Sequence, residues 1–300
     1  MFWENIKEAI TSISSNKMRS LLTMLGIIIG ISSVIIITTI GGSIQSTLTA
    51  TMNSLGGNMV QAYVEARYPE NDEDWATWEQ PDMTDSDYVT QDMIDGLIEK
   101  YPDEVTGVAA QNYLGSGTIK DDADSKNYAN VNIDGITPEY LEYMKLEMHA
   151  GRNLTKADNQ GKKRVCLIAD TMAERYFAGK DPIGETLSVA TTDGGIFDFV
   201  VVGVYVYNQA LFGKVDTSIP EKDRVTELMI PFQTCFKLQG TDRTGYDYFN
   251  LMIDPLADVN QATTDVLSYF DEMYANNKNF HVSAYNMASD LGMINTVLNV

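Results

Sequence analysis

The side chains able to do covalent or metal chemistry are sparse. The two histidines, His149 and His281, lie far apart with no carboxylate at a zinc-ligand spacing, so both read as ordinary surface or loop residues. There is no G-x-S-x-G elbow for a nucleophilic serine and no G-x-x-x-x-G-K-[ST] loop to cradle ATP phosphates. The acidic runs NDED (71–74) and DDADS (121–125) could attract calcium, but neither matches D-x-[DN]-x-[DN]-G, which favours solvated turns. Cys166 and Cys235 could pair in an oxidising compartment, yet Cys166 sits in the apolar run VCLI, which suits a buried free thiol. This inventory assigns no catalytic group, no cofactor and no metal.

The elements that organise the chain speak instead of a membrane. Leu21 to Ile40 is a run of twenty residues without a charge, long enough at about 1.5 Å per residue to cross a bilayer core of about 30 Å. A cleaved signal peptide would be shorter and end in a small-residue cleavage site, and a soluble core helix would keep one polar face. Lys17 and Arg19 flank the run on its N-terminal side, and no Lys or Arg follows it until Arg67, so the positive-inside rule places the N-terminus in the cytoplasm and the main domain outside. Residues 1–20 carry Lys7, Lys17 and Arg19 against Glu4 and Glu8, a net +1, which leaves −22 of the total −21 on the remaining 280 residues. So acidic a domain repels nucleic acid, and DNA or RNA binding is excluded.

Phe2, Ile6, Ile10 and Ile13 share one face of a helix over residues 1–20, either lying on the cytoplasmic membrane surface or extending the span. Gly26 and Gly30 form a G-x-x-x-G that lets another helix approach closely, a weak signal by itself. Ile44, Leu48, Met52 and Leu55 continue a helical period, so residues 41–57 are expected to form a stalk ended by Gly56 and Gly57. MVQAYVEA then alternates as a strand, and 68–87 reads as an acidic loop whose Trp75 and Trp78 either pack down or form a contact surface.

Beyond it the pattern predicts a helix at Gln91–Lys100, a hairpin of Val105–Ile119 with Tyr128–Ile133, and a helix at Pro138–Met148. Next come a strand at Arg164–Ala169, a helix at Thr171–Phe177, and strands at Thr186–Ala190 and Phe197–Tyr207. The last third is expected to hold strand Tyr248–Ile253, helix Ala257–Tyr274 and strand Phe280–Tyr285. The fold class is α+β: one transmembrane helix with a stalk, then a mixed α/β extracytoplasmic domain. Residues 286–300 grow more apolar and are expected to be a second stalk leading to a missing membrane segment, against a docked terminal helix as the alternative.

Several stretches together carry a family resemblance. NKMRSLLTMLGIIIGISSVIIITTIGGSIQ followed by SLGGNMV resembles the start of permease subunits of MacB-type (MacB/FtsX-like) ABC transporters. VNIDGITPEYLEYMKLEMHAGRNLT resembles that family's stretch ending in Gly-Arg, here Gly151 and Arg152. RVCLIADTMAERYFAGKDPIGETLSV resembles its Asp-Pro-x-Gly segment, here Asp181, Pro182 and Gly184. FVVVGVY resembles its Val-Gly-Val strand around Gly203, and LMIPFQTCF its strand ending at Pro231 and Phe232. The chain departs from the pattern at Ala178–Lys180, where a Phe-Gly pair is usual.

The resemblance implies a two-part ectodomain, with 58–135 and 247–285 near the membrane and a β-rich part, 136–246, inserted. It also implies four membrane helices in the whole permease, a second permease copy, an ABC ATPase subunit, contact with membrane lipid, and an extracytoplasmic adaptor as a candidate partner. Export of peptides, toxins or lipoproteins would follow, with no ATP site in this portion, and a chain with one span would not transport by itself. A membrane-anchored sensor or binding domain is the alternative, and an anchored extracellular enzyme a third.

Overall fold

The computed structural model describes residues 2–15, 17–54, 59–69, 71, 75, 77–121, 126–212 and 218–286. The chain divides into two compact units at residue 54/55. The first holds helices α1 (Phe2–Ser15) and α2 (Lys17–Ser54). Every residue from Leu21 to Ile40 is exposed within the chain, an uncompensated apolar surface in water and a matched one in lipid. Within the 27 residues Lys17–Ser43 an 18-residue window reaches a mean hydropathy of 2.5, and the segment, at about 1.5 Å per residue, exceeds the bilayer core. Three hydroxyls on this helix are satisfied by its own backbone: Thr23 donates to the Arg19 carbonyl (2.8 Å), Ser33 to Ile29 (2.7 Å) and Thr38 to Val34 (3.0 Å). α2 runs on without a break to Ser54, through most of the expected stalk; residues 55–58 lie outside the described residues, as do 287–300 of the expected second stalk.

The second unit contains two sheets. The smaller has the order β11-β1-β10-β2, all antiparallel, from β1 (Met59–Ala66), β2 (Val105–Ala109), β10 (Tyr248–Ile253) and β11 (Phe280–Tyr285). Helices α3 (Gln91–Lys100) and α9 (Val259–Met273) help close a core that includes Val60, Ala62, Ile94, Leu97, Phe249, Leu251, Val266 and Phe270. α3 starts where the Thr90 hydroxyl accepts from Met93 N (3.3 Å), and α9 where Asp258 accepts from Asn260 and Gln261, caps of the kind that satisfy the free N–H groups of a first turn.

The larger sheet has the order β5-β8-β6-β9-β4-β3-β7, and β7 also pairs with β8, so six of its strands close into a ring. Its members are β3 (Gln111–Lys120), β4 (Tyr128–Ile136), β5 (Met148–Gly151), β6 (Val165–Ala169), β7 (Thr186–Thr191), β8 (Ile196–Tyr205) and β9 (Val225–Pro231). Period-two alternation puts Val131, Ile133, Leu228 and Ile230 in its core and Asn132, Asp134 and Glu227 on the opposite face. Short helices α4 (Tyr140–Tyr143), α5 (Lys156–Gln160), α6 (Asp170–Phe177), α7 (Gln209–Phe212) and α8 (Phe232–Leu238) fill in around it.

Three expectations are corrected here. Val105–Ile119 is not one arm of a hairpin: the chain leaves the small sheet after Ala109 and enters the large one at Gln111. Buried Thr137 fixes the switch, accepting from Ala110 N (3.0 Å) and donating to the Val108 carbonyl (3.0 Å). The division expected at 135/136 therefore falls near residue 110, because β3 and β4 both belong to the large sheet. Pro138–Met148 is helical only at Tyr140–Tyr143; Lys145 takes a left-handed φ of 50° and the chain re-enters the large sheet as β5.

Candidate functional site

On α2, Gly26 and Gly30 lie one turn apart, and a Cβ at either would meet nothing within 4 Å, so both leave open the close approach that their spacing suggests. Lys17 and Arg19 sit in its first turn.

Most of the other singled-out residues converge at one corner of the large sheet. Gly151 ends β5 opposite Gly203 of β8. At Gly151 φ is +74°, and a Cβ there would lie 2.4 Å from the Val202 carbonyl and 2.9 Å from the Gly203 Cα. A Cβ at Gly203 would lie 2.3 Å from the Arg152 carbonyl, so two strands touch backbone to backbone. Arg152 N donates to Val202 O (2.9 Å) and Gly184 N to Val201 O (2.8 Å), which brings the Asp-Pro-x-Gly turn to the same strand. In that turn Asp181 accepts from Ile183 N (2.9 Å), and the Pro182 carbonyl accepts from Glu185 N (3.1 Å). Pro231 stands apart, at the end of β9, where it starts α8.

The corner is locked by Asp158, whose side chain is only 1% exposed. Arg152 Nη1 donates to it at 2.7 Å, Lys163 Nζ at 3.0 Å, and the Thr155 backbone and hydroxyl at 3.0 and 2.7 Å. Burial by itself would raise this carboxyl, but the donors from Arg152, Thr155 and Lys163 outweigh it and hold Asp158 far below the usual carboxylate range.

The histidines fall on different sheets, His149 in β5 and His281 in β11. Strand pairing sets Glu65 opposite His281, an encounter that sequence spacing gave no hint of. Ser283 donates to Glu65 (2.7 Å) and lies 3.3 Å from His281 Nε2, while His281 Nδ1 is buried without a partner. Serine and glutamate thus crowd the same ring nitrogen, whereas nucleophile activation needs the acid on the far one. Cys166 and Cys235 are both buried and free. Trp78 packs against the small core, and Trp75 stacks on Tyr68 (5.6 Å) while 48% exposed. Of the two acidic runs, residues 72–74 and 122–125 lie outside the described residues; among the described residues no group of three or more His, Cys, Asp or Glu is placed to hold a metal.

Sequence reasoning missed one cluster. Asp134 and Glu227, on the adjacent strands β4 and β9, share the face opposite the core and line a cavity of about 360 Å³. The alternation in NVNID, polar on one face and apolar on the other, was the available signal. Burial first, and Asp134 second, push the Glu227 carboxyl up to about 7.

Comparison with known proteins matches this architecture to a family. The MacB-like periplasmic core domain matches residues 20–269, and the chain belongs to that family. It is 25% identical to the uncharacterized ABC transporter permease YknZ of Bacillus subtilis, over 98% of this chain and 67% of that protein. It is also 25% identical to the macrolide export ATP-binding/permease protein MacB of Neisseria gonorrhoeae, over 72% of this chain but 30% of that one. The crystal structure of the periplasmic region of MacB from Actinobacillus actinomycetemcomitans shares the fold, with a TM-score of 0.51 at 18% identity, covering 81% of this chain and 95% of that one. The unit after α2 is thus a MacB-like domain of an ABC transporter permease, an extracytoplasmic module on a membrane-associated chain.

Proposed function

We propose that this chain is the N-terminal part of a permease subunit of a MacB-type ABC exporter, working as a dimer with a separate ATPase subunit. The observation that carries this reading is α2, a single helix whose 27-residue apolar segment continues to Ser54. Such a rod can pass displacement from the cytoplasmic side of a membrane to the domain that follows it. Gly26 and Gly30 support a close helix contact with a second membrane helix, and Lys17 and Arg19 set the depth of the rod and place the N-terminus in the cytoplasm. The cargo is a peptide, toxin or lipoprotein handled outside the membrane, with an adaptor as a further partner there.

Orientation is tested by placing single cysteines at exposed Lys7 and Thr186, since both native thiols are buried. An impermeant maleimide on intact cells should label Thr186→Cys and spare Lys7→Cys; the reverse pattern rejects the reading. Coupling is tested by co-expressing the complete permease with an ABC ATPase. ATP-dependent transport that Gly26→Leu with Gly30→Leu abolishes supports it, and an ATPase that neither co-purifies nor responds to the permease rules it out.

A further inference from the structure

The face of the large sheet that turns away from its core carries a polar ladder. Tyr113 OH and Ser116 Oγ are 2.6 Å apart, Ser116 donates to Asn132 Oδ1 (2.9 Å), and Asn132 Nδ2 donates to Glu227 Oε1 (3.3 Å). The ladder ends at the cavity lined by Asp134 and Glu227. Asp134 is 4% exposed, and Glu227 Oε2 is buried with no hydrogen-bond donor. Among the described residues, no lysine or arginine lines this cavity. Among the described residues, the titratable groups that face the pair from the packed elements are Tyr140 of α4, Tyr205 at the end of β8, Tyr207 just beyond it, and Cys235 of α8, none of them cationic. Two carboxyls held together with no cation beside them among the described residues call for a positive charge, a proton or a ligand.

We propose that this cavity binds an organic cation, a primary ammonium or guanidinium group on an apolar stem, with Asp134 and Glu227 as its anionic partners. An inorganic divalent ion fits poorly, since it takes six or more oxygen ligands, and among the described lining residues only the two carboxylates are available, the oxygens of Gln111, Tyr113, Asn132 and Tyr140 being engaged in hydrogen bonds to one another or to Ser116. Tyr113, Tyr140 and Phe212 instead provide ring faces and edges for the stem and the delocalised charge. The ligand replaces the proton that the pair otherwise holds, so binding and proton release are linked. Because the Glu227 carboxyl sits at about 7, affinity rises with pH up to that value and levels off above it. The inference concerns ligand chemistry on this chain alone and stands whether or not the permease reading holds.

The test is titration calorimetry of the full chain in detergent with agmatine, repeated with butylamine and with a tri-arginine peptide to separate a small amine from a basic peptide as the source of the cation. Saturable one-to-one binding of any of these, strengthening about tenfold per pH unit between pH 5 and 6 and releasing close to one proton at pH 6, is expected. Glu227→Gln and Asp134→Asn should each weaken it at least tenfold while the chain still melts cooperatively. If one variant does not fold, the other and the wild-type proton count still decide. Absence of saturable binding, binding indifferent to both variants, or displacement by sodium or calcium at millimolar concentration overturns the proposal.

Discussion

Removing the Arg152 guanidinium tests how the motif corner is held. Asp158 is almost wholly buried and takes donors from Arg152, Lys163 and Thr155. A hydrogen bond to a charged group contributes about 1.5–3 kcal/mol, and stripping the partner from a buried ion pair costs about 3–5 kcal/mol when nothing else compensates. Lys163 and the Thr155 cap remain in Arg152→Ala, while Arg152 itself is about half exposed, so about 2 kcal/mol is the expected loss. For a domain of this size that lowers the melting temperature by about 4–8 °C in calorimetry of the full chain in detergent. The sign with pH follows from the lowered carboxyl: its stabilisation is in place above the unfolded value of 3.8 and is lost as pH falls toward the folded value. Arg152→Ala should therefore enter acid unfolding at a higher pH than the wild type. A double-mutant cycle with Asp158→Asn should return a coupling of at least about 1 kcal/mol. A coupling below about 0.5 kcal/mol, or an unmoved acid transition, would refute the claim that this pair locks the corner.

Other perturbations give further checks. Gly151→Ala places a methyl against the Val202 carbonyl at a φ of +74° and should cost about 2–4 kcal/mol, read as a fall in melting temperature; a neutral result denies the close strand contact. Ala178, the residue after α6, holds φ 50° and ψ 41°, so Ala178→Gly should stabilise by about 0.5–1 kcal/mol, and a loss would show that the methyl is needed there. The raised Glu227 carboxyl favours the fold below the unfolded value of 4.5 and gives that up as pH rises through about 7. Glu227→Gln should flatten this slope and be the more stable protein at pH 8, as thermal melts across pH 5–8 would show.

How much of this was legible in the chain depended on whether the deciding contact was local. Gln91–Lys100 was readable because its cap at Thr90 and its apolar positions Ile94 and Leu97 lie within one segment. The strand Met59–Ala66 was readable from alternation. The switch at Ala110 was not, because Val105–Ile119 holds no proline or charge to mark a break, which is imposed by Thr137 from a distant turn. Pro138–Met148 misled for a similar reason: its residues suit a helix, yet Lys145 turns left-handed and Leu146 N bonds back to Leu141 O (2.8 Å), ending it early. Of the candidate residues, Gly151, Arg152, Gly184 and Gly203 came through resemblance, and their meeting at one corner needed the pairing of β5 with β8. Asp134 and Glu227 belong to strands far apart in sequence, so only the parallel β4–β9 register brings them to one cavity.

The small sheet also dictates an order of manufacture. Each of its strand pairings, β1 with β10, β1 with β11 and β2 with β10, requires a strand that is synthesised after residue 247. The large sheet is complete by Pro231. A nascent chain can therefore close its ring of strands while Val60, Ala62 and the edges of β1 and β2 still have nothing to cover them. The seven-stranded part acts as the first folded body, and the small sheet is assembled around its two emerging ends. The interval between the two events is when the newborn protein is most exposed to misassociation and most in need of a holding chaperone.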